Sequence, residues 1–290
     1  MGVGAERRWG SGAVTAAKAV LKLMLFGITP VVAFFNITRL EFDANLGAGI
    51  AIGWVALCVV GAIAYGASRG LRLDRPTTGT LMATTMQGNT GYLGLPLCAA
   101  LLGTDRLGEA VVYDQLVQTS FLLTVIFAIA AAFGTKAGEG LRERAIAFLT
   151  RNPPLVGVVL GLLAPRAFAP DALLELSHLL VYSLVPLGFF AVGVTLASEA
   201  APGRAFVPAF DRTVACALGL RLVAAPLLLL AIAAPLVDLP TSWLLLAAMP
   251  SGVNGLVVAH TYGLDVRLAA AAIAYSTVVV TTVAIVASVL

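Results

Sequence analysis

Long apolar runs, separated by short polar or Gly- and Pro-containing punctuation, fill this chain almost from end to end. They are Val20 to Thr38, Gly47 to Ser68, Gly79 to Leu102, Ala110 to Phe133, Pro153 to Phe168, Leu173 to Ala197, Thr213 to Pro235, Ser242 to Tyr262 and Leu268 to Leu290. Most approach the ~20 residues that carry an α-helix across a hydrocarbon core of about 30 Å. No water is available in that core to bond a free N–H or C=O, so helices are the expected spanning element. The pattern predicts an all-α membrane bundle of about nine transmembrane helices. Pro165 punctuates the fifth of them.

Composition points the same way. Hydrophobic residues make up 60% of the 290 and charged residues 11%, against about 25% charged in soluble domains. Mean hydropathy is +0.97, which excludes a water-soluble fold of this size. Cys58, Cys98 and Cys216 each lie inside an apolar run without CxxC spacing, so they read as packing residues and not as a disulfide or metal cluster. Met1 to Thr15 carries Arg7 and Arg8 but no stretch apolar enough for a signal peptide, and residues 1–19 are expected to form a cytoplasmic segment.

Basic residues sort by loop. One side receives Arg7, Arg8, Lys18, Arg69, Arg72, Arg75, Lys136, Arg142, Arg144, Arg151, Arg204, Arg212 and Arg267; the other receives Arg39, Arg106 and Arg166. Lys and Arg accumulate on the cytoplasmic side, so the N-terminus and the loop 134–152 are expected in the cytoplasm and the C-terminus outside. The net charge of +3 is explained by this placement and implies no nucleic-acid partner.

The chain also echoes itself. Pro30 and Pro186 each lie mid-span, with the approach Leu21 to Thr29 matching Ser177 to Val185, and Leu102-Gly103-Thr104-Asp105 is echoed by Tyr262-Gly263-Leu264-Asp265. Two halves in the same order, separated by an odd number of spans, must lie in opposite orientations. Inverted repeats with interrupted helices are a transporter signature.

Two spans are interrupted by polar, helix-weakening sequence. Gln87-Gly88-Asn89-Thr90-Gly91-Tyr92-Leu93-Gly94-Leu95-Pro96 divides the third, and Pro250-Ser251-Gly252-Val253-Asn254-Gly255 divides the eighth. Glycine weakens a helix and proline lacks a donor, so backbone groups at membrane depth must find protein, water or a ligand. Half-helix N-termini at such breaks present partial positive charge and free N–H groups to an anion. Gly and Pro are also common in membrane helices that merely kink or pack closely. Two breaks at matched positions, each carrying an intramembrane Asn, favour a site.

These motifs carry a resemblance. Asn89 to Leu97 is similar to the Asn-x-Gly-aromatic-x-Gly-x-Pro-Leu crossover motif of the auxin efflux carrier family, Ala247 to Asn254 resembles its second crossover, and Asn152-Pro153-Pro154 resembles the start of its second half. The resemblance runs from about Ser11 to the C-terminus. It implies an inverted-repeat bundle with two broken crossover helices, of the bile-acid-symporter and NhaA-like transporter fold. The repeats would span 20–133 and 153–290, with a scaffold of helices 20–38, 153–168 and 173–197 and a transport domain of 47–133 and 213–290. Asn89 and Asn254 are the implied substrate-carboxylate ligands, within a substrate-binding set of Asn89, Thr90, Gly91, Gly94, Pro96, Pro250, Ser251, Gly252, Asn254 and Gly255; Pro96 and Pro250 shape the breaks. Ser11 to Val20 resembles the family's link into its second helix. The first helix is thus expected to be absent, either because the gene start is placed too far downstream or because this member has nine spans.

Other intramembrane polar residues keep alternatives open. Asp114 is either a proton or cation site or an interfacial acid at a helix start. Gln118 resembles a polar position near the crossover and is favoured over Gln115. Arg221 either pairs with an acid, contacts an anionic substrate or snorkels to the cytoplasmic face. His178 and His260 read as packed, and Tyr275 and Ser276 either line the cavity or pack. No nucleophile–base set, phosphate loop, metal cluster or cofactor motif is present, so no enzyme is expected. The expectation is a bacterial-type inner-membrane secondary carrier of small organic anions, such as malate, malonate or auxin-like acids, with the lipid bilayer around it and a homodimer through the scaffold helices. The alternatives are a sodium-coupled bile-acid-type symporter and a membrane receptor that binds without transporting.

Overall fold

A computed structural model describes residues 2–41, 43–136, 152–198 and 209–289. Arg142, Arg144, Arg151, Arg204 and Leu290, which carry part of the topology expectation, lie outside the described residues, as does most of the loop 134–152.

Every regular element among the described residues is helical. Among the described residues, six helices are long and apolar enough to cross a membrane: Ser11–Arg39, Ala44–Gly70, Thr104–Phe133, Asp171–Thr195, Arg212–Ala233 and Val266–Ala287. Carboxylates and amides at the loop ends start several helices by accepting from backbone amides that have no intrahelical partner. Asp43 accepts from Leu46 N at 2.7 Å, Asp74 from Thr77 N at 2.9 Å, and Asp211 from Val214 N at 2.8 Å. Asn152 does the same for Pro153–Leu163.

The outer faces are apolar. Leu163, Leu179, Leu227 and Val283 are among many large hydrophobic side chains left exposed, a pattern that suits lipid and not water. Inside, small residues let helices approach closely, as membrane packing favours. A Cβ at Gly161 would stand 2.8 Å from Phe34 O, one at Gly157 would strike Pro30 O, and one at Gly53 would stand 2.8 Å from Val117 Cγ1. Pro153–Leu163 and Asp171–Ser198 each pack on Ser11–Arg39, while Ala44–Gly70 packs on Arg75–Met86 and on Ala225–Ala233.

Three boundaries differ from the hydropathy pattern. Within residues 1–19, expected as a cytoplasmic segment, Gly2–Trp9 is helical and, after a turn at Gly10, Ser11–Leu23 opens the first long helix. Ala5, Ala13 and Ala17 bury against Ala191 and Val194, so packing overrides the low hydropathy of that stretch. The fifth stretch ends at Leu163, because Ala164 before Pro165 is extended at ψ 135°, as a residue preceding proline prefers. Its 11 residues rise about 16 Å, short of a crossing. The sequence echo is also uneven. Gly103 and Gly263 both end helices with positive φ, 91° and 68°, but Pro30 follows a widened π turn over Met24–Ile28 whereas Pro186 sits within the continuous helix Asp171–Ser198.

Candidate functional site

The two polar interruptions are real breaks, and they meet. Arg75–Met86 stops before Gln87, and a second helix restarts over Thr90–Leu102. Thr241–Ala247 stops before Ala248, and Asn254–Tyr262 restarts. Gly88 and Ser251 form an antiparallel bridge. Asn89 N donates to Pro250 O at 2.8 Å and Gly252 N donates to Gln87 O at 3.0 Å. Close contact needs glycine here, since a Cβ at Gly252 would stand 2.9 Å from Gly88 O.

Backbone groups freed by the breaks are collected by side chains from neighbouring helices, as membrane depth demands. Ser251 Oγ donates to Thr84 O at 2.9 Å, and Ser251 N donates to Ser276 Oγ at 3.0 Å. Gly88 N donates to Gln118 Oε1 at 3.0 Å. Arg221, fully buried, donates through Nε to Met249 O at 2.8 Å, through Nη2 to Ala247 O at 2.9 Å and through Nη1 to Thr85 O at 3.4 Å. Its guanidinium lies against Gly88, where any Cβ would strike Nη2. Ala247 and Thr85 close the two helices that enter the crossing, so a buried cation sits where both macrodipoles are negative. None of the three roles left open for Arg221 fits: it makes no ion pair among the described residues, does not line the cavity described below, and does not reach for an interface.

On the other side of the crossing lies a cavity of about 100 Å³, the space of a few water molecules. The restarting helices open onto it at Asn89, Thr90 and Gly91 and at Gly252, Val253 and Asn254. Asp114, Gln115 and Gln118 reach it from the π-helical stretch Tyr113–Thr119, the kind of local widening often found at functional sites. Asn89, Thr90, Asp114, Gln115 and Gln118 are buried; Asn254 is exposed. Asp114 accepts from the Thr90 hydroxyl and, at 2.6 Å, from Gln115 Nε2. Gln87 Oε1, Gln115 Oε1 and Asn152 Nδ2 are buried without a partner, and all three residues line this cavity. Such groups cost free energy unless something bonds them.

Of the expected set, Asn89, Thr90, Gly91, Gly252, Asn254, Asp114 and Gln118 line the cavity, while Gly94, Pro96, Pro250, Ser251, Gly255 and Arg221 do not. Pro96 lies in the first turn of Leu95–Leu102; Ser251 and Arg221 hold the crossing from behind. Ser276 binds Ser251 and so supports the break without lining the cavity, and Tyr275 stacks edge-on against Phe210. His178 bonds Asn36 Oδ1 at 3.2 Å, as a packed histidine would. Sequence reasoning missed Thr29 and gave Asn152 no site role, although both line the cavity. The signal for Asn152 was its place beside Pro153-Pro154; for Thr29 it was the following Pro30.

The profile of a family described as membrane transport protein matches residues 3–139 and 142–287. The chain belongs to that family. It is the auxin efflux carrier family that the crossover motifs resemble. A curated relative in Methanothermobacter thermautotrophicus, named an uncharacterized transporter, is 29% identical over 226 residues, covering 75% of this chain and 70% of the relative. Another uncharacterized transporter, in Methanocaldococcus jannaschii, is 24% identical over 195 residues, 63% of this chain and 61% of its own length. This auxin efflux carrier family protein is thus a multi-pass membrane protein of the transport class, and these names point away from an enzyme.

Proposed function

We propose that the protein is a secondary carrier of small organic anions, mono- or dicarboxylates of the malate, malonate or auxin-like kind. The observation that carries this reading is the cavity onto which two helix N-termini open together, lined by buried amides with unused hydrogen-bonding atoms. Opening turns offer N–H groups and partial positive charge to a carboxylate. Asn89 and Asn254 add amide donors at the same two turns.

In this reading the breaks are the crossover of two inverted repeats. Ser11–Arg39, Pro153–Leu163 and Asp171–Ser198 form a scaffold, with the remaining helices as a transport domain that exposes the cavity to each side in turn. Leu25, Thr29 and Pro154 from the scaffold close the cavity against the crossover, which puts the substrate between the two moving parts. The uneven split of basic residues between loops supports a cytoplasmic N-terminus and an external C-terminus, in the cell membrane.

Uptake of radiolabelled malate, malonate and indole-3-acetate by proteoliposomes tests the reading. Saturable uptake above protein-free vesicles is expected for at least one. Binding without flux would make the protein a receptor, and neither binding nor flux would reject the anion assignment.

A further inference from the structure

The cavity assigned to an anion contains a negative side chain. Asp114 is the acidic or basic residue among the described residues that line it; the other polar groups there are amides, hydroxyls and backbone. Its residue exposure is 5%. No ion pair among the described residues includes it.

The carboxylate also stands where a substrate carboxylate would bind. Thr90, which opens the restarting helix Thr90–Leu102, donates its hydroxyl to Asp114 Oδ1. A Cβ on Gly91 would lie 3.3 Å from that oxygen, so the side chain rests against the helix's first turn. Two carboxylates cannot share such a poorly solvated place while both are ionised. Among the described residues no cation stands close enough to compensate it: Arg69, the one cation on an element packed against this stretch, lies about 22 Å along Ala44–Gly70 from Trp54, which bonds Leu116 O. Thr90–Leu102 brings Tyr92 and Cys98, Leu107–Val112 brings Glu109, and Ala44–Gly70 brings Cys58, Tyr65 and Arg69. Pro153–Leu163, Leu122–Ile126 and Thr241–Ala247 bring no titratable group. Tyr113 precedes Asp114 on its own helix, and Arg221 lies beyond Gly88 with its donors on carbonyls.

Gln115 is built to serve both protonation states. Its Nε2 donates to Asp114 Oδ2 at 2.6 Å, while its Oε1 is buried without a partner. A half-turn of that amide would present Oε1 to a carboxyl O–H instead.

We propose that Asp114 is the carrier's proton site, and that one organic anion enters as one proton adds to Asp114. The proton comes from water on the open side and converts the carboxylate to a neutral carboxyl. Thr90 and the opening amides are then released to the substrate carboxylate. On the opposite side the anion leaves, Asp114 returns its proton to water, and its carboxylate takes Thr90 back. For a monocarboxylate the site carries the same charge loaded and empty, so anion and proton move together without net charge. This rests on the organic-anion reading above.

Calorimetric titration of the purified protein with malate, malonate and indole-3-acetate, in two buffers of different ionisation enthalpy, measures proton uptake directly. We expect about one proton taken up per anion bound, with affinity falling about tenfold per pH unit where Asp114 is ionised in the empty site. Asp114→Asn, which imitates the protonated form, is expected to bind without proton uptake and without that pH slope. Wild-type binding without proton uptake would overturn the proposal while leaving the anion reading standing. So would proton uptake retained in Asp114→Asn, or binding tightened by Na⁺ at fixed pH with no proton taken up. Failure of all three anions to bind either protein would sink the anion reading itself, and the proton site with it. The wild-type titration decides the matter even if the variant does not fold.

Discussion

The two sides of the helix crossing are opposites. Behind it, Arg221 spends its donors on Thr85 O, Ala247 O and Met249 O, and Ser251 takes Thr84 O. In front, amide atoms of Gln87, Gln115 and Asn152 are buried and unused around a cavity. Helix ends of negative polarity are gathered at the back around a cation, and ends of positive polarity open at the front. The difference separates fold from function. Membrane burial penalises every unmet polar group, so the satisfied side reads as structural, and the unsatisfied side reads as a place reserved for something that comes and goes.

Removing the back should therefore cost the most. Arg221→Met would strand buried carbonyls at about 1–3 kcal/mol each, and Arg221→Lys should recover only part, because a compact ammonium cannot reproduce the planar spread of a guanidinium. Thermal unfolding of the purified protein in detergent is expected to show the largest stability loss for the Met variant and a smaller one for Lys. A Met variant that melted with wild type would show that the carbonyls find other partners, and the contrast between the two sides would dissolve.

Front substitutions should invert that pattern. Asn89→Ala and Asn254→Ala are expected to leave the melting temperature nearly unchanged but to weaken binding of whichever test carboxylate binds wild type by ~1–3 kcal/mol, the cost of leaving a buried partner unmatched. Asn89→Asp should be worse, since it adds a second carboxylate near Asp114 and the substrate. Titration calorimetry against melting curves sorts the two outcomes; alanine variants that melted early yet bound normally would move both residues to the structural side.

Much of the front was legible in the chain because it uses short-range chemistry: Gly, Pro and Asn at membrane depth mark a broken helix by themselves. Asn89, Thr90, Gly91 and Asn254 follow directly. The back was not legible, since Arg221 lies far along the chain from Thr85 and reaches carbonyls, which every residue carries and no pattern marks. The π turn over Tyr113–Thr119, which sets the angular spacing of Asp114, Gln115 and Gln118, has no sequence signature that hydropathy reveals. Helix limits at Ser11 and Leu163 depended on an alanine contact and on one proline, where a hydropathy window averages over both.

The smallest effect lies at the far end of a helix that enters the crossing. Arg75–Met86 has Arg221 near its C-terminal carbonyls and Asp74 at its N-terminus, so both ends are complemented in charge. Asp74 caps outside the membrane-spanning segments, and its side-chain and backbone bonds with Thr77 hold its carboxyl below the ordinary 3.8. Asp74→Ala should cost about 1 kcal/mol at neutral pH, the usual worth of a lost N-cap. A depressed carboxyl stabilises the fold above its unfolded value, and that contribution disappears as pH falls through the lower, folded one. The gap between wild type and Asp74→Ala should therefore narrow in acid, whereas Asp74→Asn, which caps without charge, should stay close to wild type at neutral pH. Unfolding curves for the three proteins across that range provide the check. A wild-type–alanine gap that did not change with pH would mean that the capping carboxylate does not matter as a charge, and that only Arg221 complements this helix.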